Sequence, residues 1–188
     1  TNFLDTEYGF INPPSLFLYP EGQLESKIEI SYETNSHFKF VYSSLEKKEV
    51  SFLAANFDEL YDSPIQFSNR ESSNFESGDC QHEVLLEGEI PKQIRANLLS
   101  DLKKITDYET KLFGSNPNKY YLFIINLTDN NYGGLEHASS SVNAFDPAKL
   151  HDKAEYPKLL GLLAHEYFHL WNVKRIRPIE LLPFNYQQ

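Results

Sequence analysis

The chain has 188 residues, 40% hydrophobic and 14% aromatic, with a formal net charge of −10, which is enough apolar material for one full core or two small ones. The acidic balance disfavours nucleic acid and anionic membranes as partners, since both demand clustered Lys and Arg, and no run approaches the roughly 18 apolar residues of a membrane span. A single cysteine, Cys80, excludes an internal disulfide and any CxxC zinc site, so a metal would have to be held by His and carboxylate. The start, Thr1-Asn2-Phe3, has neither methionine nor signal-peptide character. The chain is expected to be a piece of a longer protein, with the compartment open between cytoplasm and periplasm.

Residues 1 to about 87 read as β-rich. Leu24 to Tyr32, over its second half, and Phe38 to Tyr42 alternate apolar with polar, and Val50 to Phe57 offers a third strand. Pro13-Pro14, Pro20-Glu21-Gly22 and Ser72-Ser73-Asn74 punctuate them as loops, and antiparallel pairing is expected. His37 and His82 stand without neighbouring ligand-type residues and read as surface or core histidines.

The period then changes. After Pro91, the residues Ile94, Leu98, Leu102, Ile105, Tyr108 and Leu112 recur every three or four positions, and Gly114 supplies a stop. This predicts an amphipathic helix covering a sheet, with a domain boundary at 87/88: a β-rich domain over 1–87 and a second over 88–188. Tyr120 to Leu127 is too continuously apolar for a half-exposed strand and too short for a domain helix, so it reads as a buried strand. Asp129-Asn130-Asn131 and Gly133-Gly134 read as a turn, Asp146-Pro147 as another, and Pro157 fits the first turn of a last, strongly apolar helix from Tyr156 to Trp171.

That helix carries His165-Glu166-Tyr167-Phe168-His169, an HExxH pattern. Residues four apart lie one above the other on a helix, so His165 and His169 can aim both imidazoles at one zinc ion. Glu166 sits about 100° further round, beside the metal, where it can act as general base on a zinc-bound water. The apolar surroundings predict a buried helix, and Lys158, Gly161, His165, His169 and Asn172 form one polar line along it that predicts a cleft. A third ligand is needed. Gly and His three and six positions after the second His would supply one, but Asn172 and Arg175 stand there. Glu180, the one acidic residue after His169, follows Pro178 too closely to be expected to fold back onto the helix. The basic run Lys174-Arg175-Ile176-Arg177 is expected to be structural.

The string His165 to Pro178 closely resembles the zinc-site segment of the glycyl-aminopeptidase family, metallopeptidases with a C-terminal PDZ domain, and Gly133-Gly134-Leu135-Glu136-His137 resembles that family's second conserved string. Tyr8 to Gly22 and Phe57-Asp58-Glu59-Leu60 look more loosely like its N-terminal β-domain. The resemblance implies an α+β protein: an N-terminal antiparallel β-domain, then the first part of a thermolysin-like zinc peptidase domain. It places the third zinc ligand, a glutamate, beyond Gln188, so this chain alone is expected to bind zinc weakly or not at all. It also implies that Glu136 binds the substrate's free α-amine, as in the edge-strand motif of gluzincin aminopeptidases, while Gly133 and Gly134 let peptide backbone approach. A bland alternative is an exposed turn carboxylate after a flexible Gly-Gly. The expected activity is zinc-dependent removal of small N-terminal residues, Gly or Ala, from peptides with a free N-terminus. The alternatives are a PDZ-type peptide-binding scaffold with a vestigial zinc site, or an endopeptidase.

Overall fold

The computed structural model describes residues 2–34 and 37–181. The first third is antiparallel. Strands β1 (Phe3–Leu4), β2 (Tyr8–Ile11), β3 (Ile28–Ser31), β4 (Phe40–Ser43), β5 (Glu46–Lys47), β6 (Ser51–Ala54) and β7 (Ile65–Ser68) form two sheets of order β1-β2-β7-β4 and β3-β6-β5. Every pairing in them is antiparallel, as alternating patterns with short connections favour. Phe52, Leu60 and Ile65 fill the core between them. The strand expected over Leu24–Tyr32 begins only at Ile28, because Ser26 N–H closes a turn onto Gln23 O. Between β6 and β7 lies one short helix, α1 (Phe57–Tyr61), whose N-cap Asn56 accepts from Glu59 N–H and which ends at Asp62.

The third sheet is mixed. Strands β8 (Ser73–Ser77), β9 (Cys80–Glu87), β10 (Tyr120–Leu127), β11 (Tyr132–Glu136) and β12 (Ser140–Phe145) run in the order β11-β12-β10-β9-β8, with β10 parallel to both of its neighbours. A boundary at 87/88 would therefore separate β9 from the strand it pairs with. Sheet membership changes earlier, between Ser68 and Ser73, and Ser73 and Asn74, expected in a loop, instead open β8.

The central strand is buried on both faces, as its continuous apolar run predicts: Tyr121 to Ile125 have 0% exposure. Tyr121, Phe123 and Ile125 face the helices, while Leu122 and Ile124 meet Tyr42 of β4 in the first sheet. The helical side holds α2 (Lys92–Phe113), stopped by Gly114 at φ 85°, and α3 (Tyr156–Phe168). On α2 the inward face runs Leu98, Leu102, Thr106, Glu109, leaving Tyr108 and Leu112 exposed. The expected apolar stripe thus turns away after Leu102, with Thr106 Oγ1 donating to Lys103 O of the same helix.

α3 lies across that layer. Leu159, Leu163, Tyr167, Leu170 and Trp171 enter the core with Leu98, Leu102 and Phe123. Leu159 and Leu163, without exposed surface, each contribute about 1.5–3 kcal/mol by leaving water. Its other face is open: Lys158, Gly161 and His165 are exposed. The expectation of an all-round buried helix fails for that face. No helix among the described residues is long and apolar enough to cross a membrane.

Candidate active site

The motif helix is fixed from beneath by one of its own residues. Tyr167, without exposed surface, accepts a hydrogen bond from Asn116 Nδ2 at 2.6 Å and lies 2.9 Å from His82 Nε2. Burial pushes His82 down to about 4 and keeps the ring neutral beside the phenol. Trp171, just past the helix, stacks on Phe113 at 4.5 Å and donates to Ser115 O. These contacts hold the helix end, and with it both histidines.

His165 and His169 bring their Nε2 atoms to 3.1 Å. His169 caps the helix and is not in its regular part, and its Nδ1–H donates to Asn172 O at 2.6 Å, which leaves the lone pair on Nε2. Two such nitrogens this close fit a shared ion about 2.0–2.1 Å from each. The donor set, imidazole with carboxylate and no thiolate, suits zinc.

Tertiary structure adds a third residue to this pair. Glu136, Glu166 and His169 each place a ligand atom within 4.8 Å of the other two; His165 joins the trio through His169. Glu136 ends β11, an edge strand with β12 on one side and no partner on the other among the described residues. It is not in a turn, and neither are Gly133 and Gly134, which pair with Ala144 and Asn143. The turn is shorter, with Asn130 taking a positive φ of 56°. Gly134 passes directly over the general-base candidate: a Cβ there would lie 2.3 Å from Glu166 Oε1 and 2.4 Å from its Cγ, whereas a Cβ on Gly133 meets nothing within 4 Å. The absent side chain at 134 thus makes room for Glu166, and only Gly133 leaves open space.

Burial raises the Glu166 carboxyl above the ordinary glutamate range, neighbouring Glu136 adds to this, and the imidazoles of His165, His169 and His137 oppose it. Glu180 is exposed in a short turn and belongs to no such cluster among the described residues. His137 belongs to no such cluster among the described residues either, and its Nδ1 lies 3.0 Å from Asp62 Oδ1. Lys174 binds the same Asp62, and Arg175 binds Asn118, Leu170 O and Ala138 O. These two basic residues are structural in the described chain. Asp62, Asn116 and Asn118 carry no local sequence signal; each is a polar residue in a loop or at an element end, where polar residues are ordinary.

A mixed sheet with a motif-bearing helix across it and a free edge strand beside the motif defines a fold shared with aminopeptidase structures. An aminopeptidase N family protein from Idiomarina loihiensis superposes with a TM-score of 0.93 at 28% identity over 100% of this chain and 34% of that one. Legionella pneumophila aminopeptidase A, solved in complex with aspartic acid, shares the fold at a TM-score of 0.58 and 15% identity, over 90% of this chain and 23% of that one. An aminopeptidase N from Caulobacter vibrioides is 30% identical over 86 residues, 43% of this chain and 10% of that protein. The chain thus spans about a third or less of each of these relatives. The particular family follows from two matches that together cover more than half of the chain. The peptidase M61 N-terminal domain matches residues 1–69 and M61 glycyl aminopeptidase matches residues 158–188. The chain belongs to the M61 peptidase family.

Proposed function

We propose that this chain carries part of the active centre of a zinc-dependent aminopeptidase, which removes a small first residue, Gly or Ala, from peptides with a free N-terminus. The observation that carries the reading is Glu136 beside Glu166 and His169, within 4.8 Å. A substrate's amine nitrogen lies about 2.5 Å from the carbon of its first peptide carbonyl, and an ammonium–carboxylate hydrogen bond adds about 2.8 Å. A carboxylate that reads the amine can therefore stand no more than about 5 Å from the reacting carbon, a reach compatible with Glu136 lying within 4.8 Å of Glu166 and His169. Two carboxylates so close repel each other and want a cation between them; an α-ammonium supplies it.

His165 and His169 would hold the zinc, with the remaining protein ligand expected from the part of the protein beyond Gln188. Zinc, when bound, activates a water and polarises the carbonyl. Glu166 takes the proton from the attacking water and returns it to the leaving amine, a role that its burial favours by bringing its proton affinity nearer to working pH. Glu136 fixes the amine, so only the first bond reaches the base. The open edge of β11 offers backbone groups to align the peptide, and Gly133 leaves room for it.

The test is Glu166→Gln in the full-length protein, with zinc content measured beside turnover. Zinc is expected to stay at wild-type stoichiometry while kcat falls about 10²–10⁴-fold, the usual weight of a general base. Unchanged turnover refutes the assignment of Glu166, and zinc near zero in the wild type after loading refutes the metallopeptidase reading.

A further inference from the structure

Glu136 ends an edge strand, and an edge strand needs something besides its single partner to hold its end still. The chain just past it is tied down with unusual completeness. His137 N–H donates to Ser140 O at 2.9 Å. Ala138 N–H donates to Asp62 Oδ2 at 2.7 Å, and Ala138 O accepts from Asn118 Nδ2 at 2.7 Å and from Arg175 Nη1 at 3.4 Å. The imidazole of His137, only 5% exposed, lies 3.0 Å from Asp62 Oδ1, and the same oxygen accepts from Lys174 Nζ at 2.8 Å.

One carboxylate thus gathers three parts of the molecule: the end of α1 in the first, antiparallel layer, the end of the strand that bears Glu136, and the segment five residues past His169. Burial works against the charge on Asp62, but the hydrogen bond from His137 and the charge of Lys174 hold its carboxyl below the usual range. A cavity of about 680 Å³ is lined by both Asp62 and Glu136, together with Asp58, Ser139 and Arg177. The clamp therefore stands at the wall of a cavity that Glu136 also lines.

We propose that Asp62 is a positioning residue for Glu136: by holding His137, Ala138 and Lys174 together, it sets the amine-recognising carboxylate at its working distance from Glu166 and His169. The first layer is then part of the peptidase site, although it supplies no group to the chemistry. The proposal rests on the reading of Glu136 as the amine partner.

The experiment is a double-mutant cycle in the full-length protein, with glycyl and alanyl anilides as probes and zinc content and thermal midpoint measured for every variant. Asp62→Asn keeps size and shape but puts an NH₂ where an acceptor is needed, so either the Ala138 N–H bond or the shared contact to His137 and Lys174 is lost. KM for the free-amine probes is expected to rise about tenfold, with kcat within about threefold and zinc unchanged, a coupling of the size seen between residues in one network. Asp62→Asn/Glu136→Gln is expected to be no worse than Glu136→Gln alone, because Asp62 acts through Glu136. Multiplying effects, or a fall in kcat with KM unmoved, overturn the proposal. If Glu136→Gln itself leaves KM unchanged, the amine reading fails and this proposal with it; if Glu136→Gln raises KM and Asp62→Asn does not, only the positioning role fails. Should Asp62→Asn not fold, Lys174→Met removes one partner and leaves the Ala138 bond. A smaller rise in KM supports the clamp, and no rise overturns it.

Discussion

Replacing Gly134 by alanine tests whether the general base occupies the space that the edge strand leaves for it. The backbone at 134 has no positive φ, so alanine is tolerated conformationally, and losing a glycine from a strand favours folding by roughly 0.5–1 kcal/mol. The new Cβ would nevertheless stand 2.3–2.4 Å from Oε1, Cδ and Cγ of Glu166, where ordinary contact begins at 3.4 Å. Because Cγ is among the atoms met, turning the carboxylate about its last bond does not relieve the overlap, and the whole side chain has to retreat by about 1 Å or more. A misplacement of that size costs about 10²-fold in rate, equivalent to about 2.7 kcal/mol of transition-state stabilisation. Steady-state kinetics on glycyl and alanyl anilides, with thermal midpoint and zinc content alongside, should show kcat down about 100-fold in a folded, metal-loaded protein. Gly133→Ala is the paired control: with nothing within 4 Å of its Cβ, it leaves Glu166 in place, and any change falls on KM. The reasoning is refuted if Gly134→Ala keeps kcat within about threefold of wild type, or if Gly133→Ala loses kcat equally.

Glu136→Ala is expected to lower kcat/KM on free-amine peptides by about 10–100-fold, the weight of a charge-assisted hydrogen bond, while N-acetylated peptides are affected little; equal losses on both would point to an endopeptidase. A separate prediction concerns Glu109, whose carboxyl burial pushes up to about 8 and whose Oε2 has no partner among the described residues. Unfolded, the group titrates near 4.5, so between pH 4.5 and 8 the folded state keeps a proton that the unfolded state has lost. Stability falls as pH rises through that window and levels off above it. Glu109→Gln removes the effect, so its gain in thermal midpoint over wild type should widen from pH 5 to pH 8; a constant gap would show that the carboxylate has found a partner.

Much of this molecule is legible from local pattern. The limits of α2, the burial of β10 and the pairing of His165 with His169 follow from periodicities that the backbone imposes on each segment separately. Asn130, Gly114 and Pro157 act within their own turns and read equally directly. The Gly-Gly pair was harder, because glycine marks both a flexible turn and a close approach. Only the packing of α3 on β11 reveals that Gly134 is small for the sake of Glu166. The polar interior of α2 was hidden for the same reason, since Thr106 and Glu109 turn inward against residues far away in sequence.

The sequence by itself determined which groups this chain can bring to a site: two imidazoles one helical turn apart and a carboxylate beside them. Tertiary structure alone decided how those groups meet. Glu136 and His169 are brought within 4.8 Å by a strand and a helix formed independently, and Asp62 reaches His137 and Lys174 across 75 and 112 positions. Such distances depend on how layers pack. No local periodicity encodes them, because the free energy that sets them comes from burial and hydrogen bonding between segments that do not neighbour one another in sequence.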